Sequence, residues 1–230
     1  MDTQVGGGGT AAKTGSFWYS GWIDPYLYEC TGQTYDPAMD HSRVRFVFDG
    51  RPALSRSLDG DVTGTGPMPN SDGYLPNGDL VGFDLMMIAV AKRLGVSEAA
   101  RETLVIGSTS RYRYSLEAAR RGNMVDLRLS RKPVDVAQES ELVAETSVVL
   151  REFLDGALLS GFMMLSIVRD LNSRLMAHPR LQLLATTTKE LQELIWKLWP
   201  KSRPRVPSTG GRRLLRFDRE IRVGDDLWRH

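Results

Sequence analysis

The sequence predicts an α+β protein, with a front part of short strands and aromatic-rich turns and a predominantly helical back part. Apolar and polar residues alternate over residues 43–48, which is typical of a strand, whereas apolar residues recur at three- and four-residue steps over residues 139–172, which is typical of a helix. The chain has 230 residues, of which 41% are hydrophobic and 25% are charged. That length and composition are typical of globular proteins that bury a core.

Composition divides the chain into four regions. Residues 1–16 are rich in Gly, Thr and Ala and predict a flexible tail. Residues 17–134 are expected to form a mixed α/β domain, and residues 135–200 a helical region that packs on it or on a neighbouring molecule. Residues 201–230 combine Pro, Gly and Arg and are expected to form a basic linker and tail.

The front region opens with a dense cluster of aromatic residues. Gly residues and Asp-Pro pairs interrupt the cluster, so turns rather than long elements are expected there. Residues 43–48 follow as a half-buried strand, which Asp49 and Gly50 close with a hairpin turn. The aromatic cluster consists of Phe17, Trp18, Tyr19, Trp22, Tyr26, Tyr28 and Tyr35.

A long loop and a helix are predicted next. Residues 59–79 hold five Gly and three Pro, a composition that indicates a loop. Asp84 is expected to cap the N-terminus of the helix, and Gly95 is expected to end it.

Short elements are predicted between this helix and the back region. Residues 104–106 and 125–129 are expected to be strands, because they are apolar or alternate in polarity. Residues 115–121 are expected to form a short helix that Gly122 stops.

The back region is expected to be helical from residue 139 to residue 172. Gly156 and Gly161 lie inside this helix, where small residues let another helix approach closely. A further helical piece is expected to begin at residues 181–184, after His178 and Pro179. Thr187 begins a capping-box pattern within this stretch, and Pro200 is expected to stop the helix. Residues 214–222 alternate weakly and predict an edge strand.

Charge is unevenly distributed along the chain. Residues 1–100 carry 7 Lys and Arg against 12 Asp and Glu, whereas residues 101–230 carry 23 against 16. Two solvated surfaces of one domain are the favoured interpretation of this asymmetry, and attraction within the fold, self-association or a charged protein partner are the alternatives. Nucleic acid is a further candidate partner of the basic residues 201–222, although acidic residues are interleaved there.

The sequence contains no catalytic, cofactor-binding or metal-binding motif. Ala12 stands where a phosphate-binding loop needs its last glycine. Residues 59–64 resemble the start of a calcium loop, but Asn70 occupies the position of the bidentate Glu. The three histidines are far apart, at His41, His178 and His230. We therefore expect a protein that is not an enzyme and that holds no cofactor or metal.

The sequence predicts an intracellular protein of a reducing compartment, with a virion or an organelle as further options. Cys30 is the single cysteine, which excludes an intramolecular disulfide. The N-terminus has no basic segment followed by an apolar one, so no secretory signal is expected. The most apolar stretch, residues 156–168, is shorter than the roughly 20 residues that span a bilayer, so no membrane span is expected.

A local pattern resembles the first lobe of extracytoplasmic amino-acid-binding proteins. It consists of NGDLVGFD at residues 77–84, followed by AKRLGV at residues 91–96. The resemblance implies an amino-acid-like ligand bound by the turn and helix of residues 72–95. It does not extend to a second lobe, and no arginine can be assigned to a ligand carboxylate.

The function expected from these features is that of a non-enzymatic structural or assembly subunit, in a viral shell or matrix layer or in an organellar machine. Trp, Tyr and Arg are enriched at protein interfaces, and the two ends of the chain supply them. A small-molecule binding protein is the alternative. The expected interface residues are Trp18, Tyr19, Trp22, Tyr26, Tyr28, Phe153, Phe162, Arg203, Arg205, Arg212 and Arg213.

Overall fold

The computed structural model confirms the α+β class, with strands in the front part of the chain and helices in the back part. It describes residues 14–24, 26–40, 42–54, 75–76, 79–108, 112–134, 139–200 and 222–223. The strands are β1 (Phe17–Ile23), β2 (Arg43–Phe48), β3 (Arg51–Pro52), β4 (Leu75–Pro76), β5 (Arg101–Ser108), β6 (Tyr112–Arg121), β7 (Met124–Pro133), β8 (Glu141–Val149) and β9 (Arg222–Val223). The helices are α1 (Tyr26–Glu29), α2 (Leu80–Val96), α3 (Leu150–Asn172) and α4 (Pro179–Leu198).

The first sheet has the strand order β3-β2-β1-β9, and β4 also pairs with β2. β1 and β2 are antiparallel, with Phe17 opposite Phe48. Asp49 and Gly50 connect β2 to β3 with φ angles of 51° and 75°, the left-handed backbone that a type I′ hairpin turn requires. The predicted strand and its turn are therefore confirmed, although β2 is buried along almost its whole length.

The second sheet is an antiparallel meander in the order β5-β6-β7-β8. Alternate residues such as Leu116 and Leu127 are buried, whereas Arg128 is exposed, so one side of the sheet contributes to the core. The strands predicted at residues 104–106 and 125–129 are confirmed, because they lie within β5 and β7.

The short helix predicted at residues 115–121 is wrong, because these residues belong to β6. Tyr114, Leu116 and Ala118 are buried at two-residue spacing, which is the period of a strand. An interpretation based on helical spacing misses this two-residue alternation, because polar residues lie between the buried ones.

The helix predicted over residues 139–172 is wrong in its first part, because residues 141–149 form β8. These residues include several β-branched side chains, which favour a strand, and α3 begins at Leu150. β7 and β8 pair with each other, although the sequence predicts that they belong to two different regions, residues 17–134 and residues 135–200.

The predicted caps of α2 and α4 are also wrong. The carboxylate of Asp79, not Asp84, caps α2, since its Oδ1 accepts a hydrogen bond from the amide of Gly82 at 2.8 Å. Thr187 lies inside α4, which begins at Pro179, the proline-favoured first position of a helix.

The helices α2, α3 and α4 pack against one another and cover the buried sides of the sheets. The close helix approach expected at Gly161 is confirmed, because Gly161 faces side chains of α2 and α4. Gly156 differs, since a Cβ added there would meet no atom within 4 Å. α3 therefore has one packed glycine and one glycine that faces open space.

Several predictions fall outside the described residues. They concern the N-terminal tail over residues 1–13, the loop over residues 55–74 and the basic segment over residues 201–221. Among the helices of the described part of the chain, none has both the length and the apolar character that crossing a membrane requires.

Candidate functional site

Three of the expected interface residues line one cavity between β1 and α3. Trp18 and Tyr19 lie on β1, and Phe153 lies one turn into α3. The cavity has a volume of about 130 Å³ and mainly apolar walls, to which Phe17, Met87 and Gly156 also contribute. An engineered cavity of roughly 150 Å³ in another protein holds benzene, so this cavity is the size of one ring or one side chain.

The other expected interface residues do not join this cavity. Tyr26 stacks on Tyr35 with ring centroids 6.3 Å apart. The hydroxyl of Tyr28 is buried and has no hydrogen-bond partner among the described residues. Phe162 lies on α3 with 37% of its surface exposed. The side chain of Trp22 and all of Arg203, Arg205, Arg212 and Arg213 fall outside what the structure describes.

Packed aromatic rings form the wall of the cavity. The ring of Phe17 lies 5.2 Å from that of Phe48 and 6.3 Å from that of Phe153. The ring of Tyr19 meets that of Phe83 edge to face at 5.0 Å. Such contacts restrict the rotamers of the rings, so the wall is preformed. Phe153 is only 5% exposed, which makes it a core residue of this chain as well as part of the cavity wall.

A buried carboxylate lies behind one end of the cavity. Asp84 on α2 is 2% exposed, and its Oδ1 accepts hydrogen bonds from the hydroxyls of Tyr19 and Ser160, each at 2.7 Å. Burial raises the pKa of Asp84 to about 6, and the two hydrogen bonds partly oppose that rise. Burial, together with the charge of Asp84, raises the pKa of Tyr19 well above its usual value.

The sequence prediction missed the roles of Asp84 and Ser160. The sequence predicts Asp84 only as a helix cap and assigns no role to Ser160. The sequence nevertheless contains a signal for a buried Asp84. It lies three residues after Val81 and four residues before Ile88, which places it on the same helix face as these apolar residues. A lone acid in an apolar helical stripe indicates a buried carboxylate that needs partners.

The cavity adjoins an edge of β1 along which residues 17–21 have no strand partner in the described part of the chain. The amide of Asp49 donates to the carbonyl of Ser16 at 2.8 Å, which fixes the pairing pattern with β2. Because antiparallel pairing alternates, the main-chain groups of Phe17, Tyr19 and Gly21 point away from β2. β9 meets β1 only at residues 22–23, so no described strand covers residues 17–21 on that edge.

A second polar cluster joins the starts of α2 and α4. Asp79 forms an ion pair with Arg180, and the hydroxyl of Tyr35 donates to Asp79 at 3.2 Å and to Asp40 at 3.4 Å. The ring of His178 meets Tyr35 edge to face at 4.8 Å. Burial raises the pKa of Asp40 and that of Tyr35. Since Asp79 also caps α2, these contacts serve to hold the two helix starts together.

The solvent-facing side of the second sheet carries opposite charges on neighbouring strands. Arg101 lies 2.7 Å from Glu117, and Arg128 lies 3.2 Å from Glu145. A shallow groove of about 520 Å³ runs over this surface. Exposed pairs of this kind contribute little to stability, and their mixed charges give the groove no preference for a cation or an anion.

No group of His, Cys, Asp and Glu in the described ranges is arranged to hold a metal ion. No protein-family model, no curated protein and no solved structure matches the chain. The features that bear on function are the cavity, the buried carboxylate and the edge of β1 that has no strand partner among the described residues at 17–21.

Proposed function

We propose that this protein is a non-enzymatic assembly subunit that docks onto a protein partner through the cavity beside β1. The observation that supports this proposal is a cavity of side-chain size that is lined by Tyr19 and Phe153, with Trp18 beside it on β1. Interfaces concentrate their binding energy in such aromatic-lined pockets, into which the partner inserts an anchor residue.

The strand edge beside the cavity favours a partner segment in extended conformation. The main-chain groups of Phe17 and Tyr19 that point away from β2 would pair with such a segment. In this mode of recognition, main-chain hydrogen bonds supply affinity and a pocket for an alternate side chain supplies specificity.

Gly156 allows a test that leaves the fold intact. A Cβ at Gly156 meets no atom within 4 Å, so Gly156→Leu is expected to place its side chain in the cavity while raising helix propensity. Asp170→Leu adds the same side chain near the exposed end of α3 and is the matched control. Size-exclusion chromatography with light scattering at low and high salt measures self-association, and capture from a lysate compares partners bound by each variant.

The expected result is an association that the wild type and Asp170→Leu share and that Gly156→Leu loses. A chain that stays monomeric at every concentration and salt, and that captures nothing sensitive to Gly156→Leu, would overturn the proposal.

Small-molecule binding is the second candidate function. Met87 and Asp84 belong to α2, the helix at which the chain resembles amino-acid-binding proteins. Met87 lines the cavity, and Asp84 contacts it through the hydroxyls of Tyr19 and Ser160. Under this alternative, free amino acids raise the melting temperature of a protein that remains monomeric.

A further inference from the structure

The two hydroxyls at the polar end of the cavity have a defined hydrogen-bond direction. Tyr19 and Ser160 line the cavity, and each donates its hydroxyl proton to Oδ1 of Asp84. A hydroxyl has one proton and two lone pairs, and the Ser160 hydroxyl also lies within hydrogen-bonding reach of the Tyr19 hydroxyl, so each oxygen keeps at least one lone pair as an acceptor. A polar group that contacts these oxygens must therefore donate a hydrogen bond.

The charge at this end of the cavity is negative. Asp84 is buried, and the groups that face it are Tyr19 from β1 and Ser160 from α3. Glu152 is the one ionisable carboxylate among the described lining residues, but it is exposed and lies about 12 Å along α3 from Ser160, so solvent screens its charge. No Lys or Arg is among the described lining residues. An ionised carboxylate in the interior is costly without a compensating cation, so the cavity favours a positively charged occupant.

The shape of the cavity favours a slender apolar stem behind the cation. Phe17, Met87 and Phe153 supply apolar walls around about 130 Å³. A lysine side chain buries its methylene stem against such walls and presents a compact ammonium with three donors. Its ammonium also gains from the neighbouring faces of aromatic rings.

The same charge pattern disfavours a free amino acid. Near the two hydroxyls its carboxylate would lie close to Asp84 and to aromatic rings, with no described basic lining residue to receive it. In a lysine within a chain, the carboxyl group is an amide, which the main-chain groups of Tyr19 at the strand edge would bind.

We propose that the cavity beside β1 binds a lysine side chain of the protein partner, with its ammonium hydrogen-bonded to the hydroxyls of Tyr19 and Ser160. This inference rests on the proposed function, because it specifies the residue that the partner inserts. Asp84 supplies the counter-charge through the two hydroxyls.

The test compares a lysine with its neutral counterpart. The probes are N-acetyl-lysine N-methylamide and N-acetyl-norleucine N-methylamide, titrated into the full chain and followed by calorimetry or NMR. We expect the lysine probe to bind about tenfold more tightly at about pH 7.5, since hydrogen bonds to charged groups are the strong ones. The preference should shrink at about pH 5, where Asp84 is largely protonated.

Two variants examine the residues involved. Asp84→Asn keeps an acceptor for both hydroxyls but removes the charge, and it should abolish most of the preference for lysine. Ser160→Ala removes one acceptor and should reduce the preference without altering the walls. Thermal unfolding shows whether each variant is folded, and Ser160→Ala suffices if Asp84→Asn is not.

Norleucine binding as tightly as lysine at both pH values would overturn the inference. So would equal binding of free pentylamine and the lysine probe, because that result would indicate a free amine rather than a partner residue. If Gly156→Leu abolishes association while the probes show no preference, the inference fails and the proposed function stands. If the preference is present but no association depends on Gly156, the proposed function fails.

Discussion

Gly161 on α3 lies so close to Thr188 on α4 that a Cβ at Gly161 would be 2.5 Å from the Thr188 hydroxyl oxygen. Thr188 is fully buried, and its hydroxyl donates to the carbonyl of Leu184 at 2.6 Å. The hydroxyl therefore cannot move away without losing a buried hydrogen bond. This contact sets the distance between the two helices.

Gly161→Ala should destabilise the fold by about 1–3 kcal/mol, because overpacking forces the helices apart. Gly156→Ala is the matched control on the same helix, and it should stabilise by about 0.5–1 kcal/mol through helix propensity. Urea unfolding of both variants measures the difference. Equal stabilities would contradict the packing described for α3 and α4.

Asp84 should make the folded state less stable as the pH rises from about 4 to about 7. Its folded pKa of about 6 lies above the usual 3.8, so the folded state binds the proton more tightly than the unfolded state. The stabilising contribution is complete below about 3.8 and is lost as the pH rises through about 6.

Asp84→Asn removes this pH dependence. The free energy of unfolding of the variant minus that of the wild type should therefore increase by up to roughly 3 kcal/mol from pH 4 to pH 7. Denaturant unfolding at a series of pH values measures the free energy of unfolding of both proteins. Subtracting one value from the other cancels the contribution of the other titrating groups. A difference that does not change with pH would show that Asp84 has an ordinary pKa.

Tyr19→Phe should destabilise the fold by about 1–3 kcal/mol at pH 7, because Asp84 keeps only the hydrogen bond from Ser160. Tyr28→Phe is the control that removes a hydroxyl with no described partner, and it should be neutral or slightly stabilising. Melting temperatures compare the two variants. A loss of stability in Tyr28→Phe equal to that in Tyr19→Phe would refute the assigned hydrogen bonds.

Asp79→Ala should cost about 1–2 kcal/mol, because it removes the cap of α2. It also removes an acceptor of Tyr35 and the partner of Arg180. Arg180→Ala should cost less, since the Arg180 side chain is 42% exposed and solvent screens its ion pair. Chemical unfolding of the single and double variants measures the coupling between the two positions.

The predictions from sequence succeeded where the hydrophobic pattern was regular and the turn residues were specific. The strand over residues 43–48 and its Asp49–Gly50 turn are examples, because few other backbones suit that dipeptide. The predictions failed where strand and helix patterns overlap. Residues 141–149 lie next to α3 without a turn signal, so the continuing apolar pattern concealed a strand.

The candidate site could be predicted only in part. The aromatic side chains of Trp18, Tyr19 and Phe153 were expected at an interface because of their residue types. The meeting of Tyr19 with Asp84 and Ser160 depends on how β1, α2 and α3 pack, and no local pattern encodes a contact between residues so far apart in sequence.

β8 runs into α3 without an intervening loop, since the strand ends at Val149 and the helix begins at Leu150. The amide of Leu150 donates to the carbonyl of Asn123 at 2.8 Å, which ties this junction to the turn between β6 and β7. Val148 and Phe153, on either side of the junction, both line the cavity. We therefore expect an occupant of the cavity to slow amide exchange near the end of β8 as well as in α3, because both elements contribute to the cavity lining.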